Sequence, residues 1–300
     1  MKKSNYSGVA LLIVGFLFIL ILSQERTEKM STKEESAYTW KEIDSTVLMA
    51  ELENKMAQER QEEENSQTSM DEVPDYTKMF PDLYTEYQTP KEMDKDKKIA
   101  YLTFDDGPSE NTFEILDILE ERDIKATFFI VGSAIKNDRD DSLKRMIYEG
   151  HTIGIHTYSH QCNEIYCSIE RFLEDFNLVY EQIHEITGER VNIYRFPWGS
   201  NNGYSKGIKD ALMEEMERRG FTCYDWNVSA DDSIGHPTAY SILNNIKKDL
   251  KRNDYPIILM HDSPVNDLTV KTLPDIIDML IEKGYKFETL DLREPYQFPW

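Results

Sequence analysis

Cysteine is almost absent from this chain. Three residues in 300, Cys162, Cys167 and Cys223, cannot build a disulfide scaffold. At most one bridge is available, Cys162–Cys167, and free structural thiols are the simpler reading. Positive charge is also short: 34 Lys and Arg stand against 56 Asp and Glu, a formal charge of −22. Phosphate backbones and anionic membrane surfaces need a cationic surplus, so no nucleic acid partner is expected. No Gly-rich loop follows the first candidate strand, which removes support for a dinucleotide fold. No repeat of solenoid period is visible, and nothing specifies an oligomeric state. Apolar residues are not lacking. At 40% they suffice for a core and exclude collagen-like or wholly disordered chains.

One apolar run is long. Positions 4–24 carry no charge, residues 9–22 are densely apolar, and Lys2 and Lys3 precede them. A stretch of about 20 apolar residues spans a bilayer. The exit, Leu22-Ser23-Gln24-Glu25-Arg26, has no small-x-small cleavage site and no Cys for lipid attachment. Residues 1–24 therefore read as an uncleaved transmembrane signal anchor. The alternative is a cleaved, secreted form. The lysines stay inside by the positive-inside rule, so the expected product is a single-pass cell-membrane protein with everything after Ser23 outside. Residues 25–96 are rich in Glu, Gln, Lys and Ser and read as an acidic extracellular stalk. Trp40, Ile43, Val47, Leu48 and Leu52 fall at roughly helical spacing, so the stalk is expected to be partly helical over 38–64.

From 97 to 300 short apolar runs alternate with amphipathic stretches. The candidate strands are 99–104, 126–131, 152–155, 192–196, 223–228, 257–260 and 286–290. The candidate helices are 111–122, 138–149, 168–187, 205–219, 239–251 and 269–283. Gly150, Gly188, Gly220 and Gly284 follow four of these helices, where a left-handed cap is wanted. Strands alternating with helices imply an α/β fold with a parallel sheet, either open or closed into a barrel.

The chemically unusual residues cluster by position. Thr103-Phe104-Asp105-Asp106-Gly107-Pro108 follows the first strand, and His156-Thr157-Tyr158-Ser159-His160 follows the third. Arg195-Phe196-Pro197-Trp198-Gly199 ends the fourth. Asp231-Asp232 follows the fifth, and Leu259-Met260-His261-Asp262 ends the sixth. Singly, each has a plain explanation: a good turn, a solvated pair of histidines, a surface ion pair, a satisfied core histidine. Jointly they do not, because each falls at the same end of a different strand. In a parallel barrel those ends open on one mouth. His156, His160 and one of Asp105 or Asp106 make a three-ligand divalent site, zinc being the first choice. The other carboxylate can take a proton from a water whose pKa the metal lowers. His261 can protonate a leaving amine, with Asp232 keeping it cationic and Arg195 orienting the base. That set suits acyl hydrolysis.

From about Ile99 to Leu290, some two-thirds of the chain, these motifs resemble the NodB-homology polysaccharide deacetylases, carbohydrate esterase family four. The resemblance implies a distorted (β/α) barrel of about seven parallel strands over 97–300, preceded by the transmembrane helix and the stalk. It implies that Asp105 is the base, that Asp106, His156 and His160 hold one divalent ion (zinc, cobalt or another), and that Arg195 orients the base. His261 matches the acid and Asp232 the residue that tunes it. Trp198 matches the backbone oxyanion donor; with Pro197 and Leu259 it lines the substrate site, Leu259 as the floor of the acetyl pocket. Two positions depart from the pattern: Ser233 stands where Trp usually follows the Asp, and Phe196 stands where Pro is common.

The anchor and stalk resemble those of membrane-bound peptidoglycan deacetylases. The resemblance therefore implies removal of N-acetyl groups from N-acetylglucosamine in the surrounding wall glycan. Deacetylation of chitin oligomers or O-acetylated xylan is the alternative. A catalytically silent wall-binding protein is a third reading, and it predicts a lost ligand or base where none is missing.

Overall fold

The computed structural model describes residues 76–91, 97–136, 140–253 and 255–298. The expected anchor at 1–24 and the candidate stalk helix at 38–64 lie outside them. Among the described residues no helix is long and apolar enough to cross a membrane.

Strands and helices alternate as β1 Lys98–Gly107, α1 Asn111–Glu120, β2 Thr127–Ile130, α2 Asp140–Tyr148, β3 Thr152–Ile155, α3 Cys162–Ile165, α4 Ile169–Thr187 and β4 Ile193–Tyr194. Then follow α5 Lys209–Arg218, β5 Thr222–Cys223, β6 Val228–Ser229, α6 Ala239–Leu250, β7 Ile257–His261, α7 Asp267–Glu282 and β8 Tyr285–Phe287. Seven strands curl in the order β5-β4-β3-β2-β1-β7-β6, and β8 pairs with the start of β1. Every pairing is parallel. Among the described residues β5 and β6 do not pair, so the barrel is open on that side.

Three expectations need correcting. The strand read over 223–228 is two short strands: the Tyr224 N–H still donates to the Tyr194 carbonyl of β4, but the Tyr224 carbonyl and the Asp225 backbone serve Arg195 and the C-terminal tail. The last strand ends at Phe287, and Leu290 begins a 3-10 turn. The four-residue helix α3 lies between the third candidate strand and the third candidate helix, where the sequence assigns no element. All three cysteines are free thiols.

The helix caps follow local rules. The Ser168 hydroxyl accepts from the Arg171 N–H at the start of α4. Gly150, Gly188, Gly220 and Gly284 all have left-handed φ, between +79° and +88°. Gly220 has a second reason to be glycine: a Cβ there would collide with the Thr85 carbonyl. Thr85 belongs to an arm inside the stretch read as stalk. Residues 76–91 group with the compact unit that follows, so packed structure begins before 97. Leu83 is buried, and the buried Arg219 guanidinium donates to the carbonyls of Tyr76, Met79, Phe80 and Leu83.

Alternation along each strand separates two cores. Ala100, Leu102 and Phe104 of β1 face the helices, as do Ile258 and Met260 of β7. Ile99 and Tyr101 face the barrel interior with Phe129, Ile193, Tyr224 and Ile257. The same period of two carries Thr103 and Asp105, His156, Arg195, and Leu259 and His261 to the interior at the C-terminal strand ends.

Candidate active site

Asp105 closes the inner face of β1 and is paired in register with His261 of β7. Its neighbour Asp106 would point toward the helices in a regular strand. It does not, because Asp106 has φ +73° and the ladder to β2 shifts register between Asp105 and Gly107. Gly107-Pro108 is the local turn signal, but the structure makes the turn at Asp106 itself. Both carboxylates therefore reach the mouth with different surroundings. Asp105 Oδ1 accepts from Arg195 Nη1 at 2.7 Å. Asp106 Oδ1 lies 3.5 Å from His156 Nε2 and 3.4 Å from His160 Nε2. Asp105 Oδ2 is 3.8 Å from His156 Nε2.

Arg195 is fully buried in the barrel interior, and its hydrogen-bonding nitrogens are all used. Nη1 also donates to Thr103 Oγ1 at 2.9 Å, Nε to the Tyr224 carbonyl at 2.8 Å and Nη2 to the Asp225 carbonyl at 3.1 Å. The guanidinium lies 4.1 Å from the centre of the Phe129 ring. Glycine at 154 makes room for that ring, since a Cβ there would stand 2.6 Å from it. A buried charge this well coordinated holds Asp105 in one place.

The histidines are held differently. His156 Nδ1 is 2.9 Å from the Arg195 carbonyl, an acceptor only, so Nδ1 carries the proton and Nε2 offers its lone pair to the mouth. Thr157 and His160 have φ +69° and +54°, which folds the loop so that His160 returns beside His156. Asp175 of α4 fastens the loop, accepting from the N–H groups of Tyr158 at 2.5 Å and Ser159 at 3.0 Å. Burial, then the neighbouring His156 ring, lowers the pKa of His160 and favours the neutral, ligating imidazole. One donor atom from each of Asp106, His156 and His160 falls within 4.8 Å of the others. Two neutral imidazoles and one carboxylate are a donor set that fits a divalent ion with open positions.

His261 stands across the mouth. Asp232 Oδ1 is 2.8 Å from its Nδ1, and Oδ2 accepts the His261 backbone N–H at 2.8 Å. Burial opposes the imidazolium. The Asp232 carboxylate outweighs it, with help from Asp105 and Asp106, and raises the pKa to about 9. Leu259 is buried one inward position below. Pro197 is buried and its carbonyl accepts from Tyr166 Oη at 2.9 Å. Trp198 is 48% exposed, with its ring 4.6 Å from that of His160. The Trp198 N–H has no acceptor among the described residues.

Residues 92–219 match the family model described as polysaccharide deacetylase. A peptidoglycan-N-acetylglucosamine deacetylase of Bacillus cereus is 35% identical over 217 residues, 68% of this chain and 73% of its own length. The chain belongs to the polysaccharide deacetylase family. The catalytic domain of a peptidoglycan N-acetylglucosamine deacetylase from Eubacterium rectale superposes with a TM-score of 0.64 at 32% identity, over 73% of this chain and 98% of that domain. A family 4 acetyl xylan esterase from Clostridium thermocellum, solved with a cobalt ion, superposes with a TM-score of 0.55 at 28% identity, over 64% of this chain and 88% of its own.

The candidate metal ligands Asp106, His156 and His160 and the candidate base Asp105 lie together at this mouth, with His261 and Asp232 on the neighbouring strand end. Where the family pattern leads one to expect Trp, Ser233 places its hydroxyl 3.4 Å from His261 Nε2. Phe196 points into the helix-side core and away from the site. Sequence reasoning missed the residues that hold the site. Asp175 is one acid among many on an amphipathic helix, and nothing local marks it. Asp262 is buried, accepts from the Ser109 and Thr112 hydroxyls, and so ties the start of α1 to the end of β7. Its place beside His261 was the only available signal. Thr103 opens the first motif but is assigned no role by it, and Asp225 and Thr269, whose hydroxyl donates to Asp232 Oδ2, carried no signal.

Proposed function

We propose that this protein is a metal-dependent hydrolase that removes N-acetyl groups from N-acetylglucosamine residues of peptidoglycan, releasing acetate. One observation carries the reading. On the paired strands β1 and β7, Asp105 held by Arg195 stands beside His261 held by Asp232, and the Asp106–His156–His160 cluster adjoins them. A divalent ion, zinc by donor chemistry, supplies Lewis acidity for the acetyl carbonyl and for water when those three residues bind it. Asp105 takes the proton of the attacking water, and Arg195 keeps the carboxylate aimed. The Trp198 N–H stabilises the charge that develops on the carbonyl oxygen. His261 gives its proton to the nitrogen as the carbon–nitrogen bond breaks, leaving a free amine on the sugar. Leu259 floors the acetyl pocket, with Pro197 and Trp198 along its side.

The wall as substrate is supported by the two peptidoglycan-deacetylase relatives and by the uncharged run behind Lys2 and Lys3. In this reading the run is a single-pass anchor that holds the domain outside the cell. Acetate release from purified peptidoglycan, chitin oligomers and acetylxylan, each with and without chelator, tests all parts at once. Fastest release from peptidoglycan, abolished by chelator and restored by zinc, is expected. Faster release from chitin or xylan would move the substrate. No release from any would leave a silent binding protein.

A further inference from the structure

The open side of the barrel is occupied by the C-terminal tail. Between β5 and β6 the ladder ends: the Tyr224 N–H still donates to the Tyr194 carbonyl of β4, but the Asp225 backbone pairs with no strand, and residues 293–298 run alongside. The Tyr224 hydroxyl donates to the Arg293 carbonyl, and the Asp225 N–H donates to the Tyr296 carbonyl at 2.8 Å. Asp225 is fully buried, and both of its oxygens are used. Oδ1 accepts the Ser200 N–H at 2.8 Å; Oδ2 accepts the Ser200 hydroxyl at 2.5 Å and the Phe298 N–H at 2.8 Å. One carboxylate thus fastens the tail to the turn that carries Trp198.

That turn needs fastening. Trp198 and Gly199 are successive left-handed residues, with φ +63° and +79°. Tryptophan does not adopt this region unaided, and such a conformation persists only where its surroundings impose it. Phe298 and Trp226 supply a wall: their rings meet edge-on at 4.8 Å, and a Cβ on Gly199 would lie 2.6 Å from the Phe298 ring and 3.1 Å from Trp226. Trp226 in turn lies 5.7 Å from the Arg195 guanidinium.

We propose that the C-terminal tail is part of the catalytic apparatus. Phe298 and Asp225 are positioning residues that hold the Trp198–Gly199 turn in the left-handed form that aims the Trp198 N–H at the carbonyl oxygen of the acetyl group. The inference rests on the deacetylase reading above. A donor that acts on charge developing in the transition state changes kcat and leaves KM nearly untouched.

The test compares parent, Phe298→Ala and Phe298→Leu, all as full chains, for acetate release, melting temperature and bound zinc. Phe298→Ala should lose about tenfold or more in kcat, with KM within about twofold, since small misplacements of such donors are expensive. Zinc content and the limbs of the pH profile should not move, and Phe298→Leu should recover most of the rate. Ser200→Ala removes one hydrogen bond to the same carboxylate without touching the tail. It should lower kcat in the same way, which covers a loss of stability in Phe298→Ala. An active parent with full kcat in both Phe298→Ala and Ser200→Ala overturns the proposal alone. A parent that releases no acetate overturns the deacetylase reading and this proposal with it.

Discussion

Changing Asp232 to Asn separates the acid from everything else at the mouth. The carboxylate clasps His261 at two points, the ring Nδ1 and the backbone N–H, each at 2.8 Å. Thr269 Oγ1 and Asn266 Nδ2 hold its second oxygen, at 2.6 and 3.5 Å. Burial disfavours the imidazolium; the Asp232 charge reverses that and brings the pKa from 6.5 to about 9. Without that charge, burial is opposed only by Asp105 and Asp106, and the pKa returns to its ordinary value or below. The difference is roughly 3 kcal/mol in the protonation equilibrium of the acid. An acid of pKa about 9 is about nine-tenths charged at pH 8, and one of about 6.5 is about 3% charged. The variant should therefore lose about 30-fold at pH 8, about fourfold at pH 7 and almost nothing at pH 6, beyond any pH-independent loss from the altered clasp. A divalent ion at Asp106 repels the imidazolium in both proteins, which lowers both limbs and preserves the sign of their difference. The assay is initial acetate release from pH 5.5 to 9.5, with metal content measured alongside. Coincident alkaline limbs in parent and variant would refute the assignment of His261 as an acid tuned by Asp232.

Asp105→Asn should retain zinc and lose about 100-fold or more in turnover, the scale of a lost general base; zinc lost with turnover would reverse the roles of Asp105 and Asp106. His156→Ala should bind zinc far more weakly in equilibrium dialysis, whereas His151→Ala should bind it normally. His151 lies buried at the opposite end of β3, with Nδ1 accepting the Ala126 N–H at 3.1 Å. Burial lowers its pKa to about 4. The unfolded chain therefore takes up a proton that the folded one refuses, so stability from this group is full above pH 6.5 and falls between 6.5 and 4, by on the order of 3 kcal/mol. Parent and His151→Ala should diverge in denaturant midpoint over that window, and parallel curves would rule the effect out. Arg219→Met strands Glu215 and four arm carbonyls; because Arg218 also pairs with Glu215, the cost should sit near the low end, about 3 kcal/mol, in urea unfolding. An unchanged midpoint would mean that the arm is not held by Arg219.

What the sequence alone determined is what depends on neighbours along the chain. The period of the apolar residues marked the order of strands and helices. Gly188 and Gly220 marked helix ends, because a left-handed cap is a local demand. Acids, histidines and an arginine at five strand ends marked a common mouth, because parallel strands connected by helices must present the same end to one side. The tertiary structure alone decided how the mouth is held. Extended geometry points Asp105 and Asp106 apart, and only the left-handed turn at Asp106 against β2 gives each a separate partner. The segment 223–228 reads as one strand, yet beyond the Tyr224 N–H its backbone leaves the ladder, and the Tyr224 and Asp225 carbonyls accept from Arg195, a residue about thirty positions earlier. Asp175 and Asp225 are two acids among 56, and their partners lie across the fold. Local patterns carry conformational preference, whereas the stabilisation of a buried charge or a strained turn comes from groups that only folding brings within hydrogen-bond range.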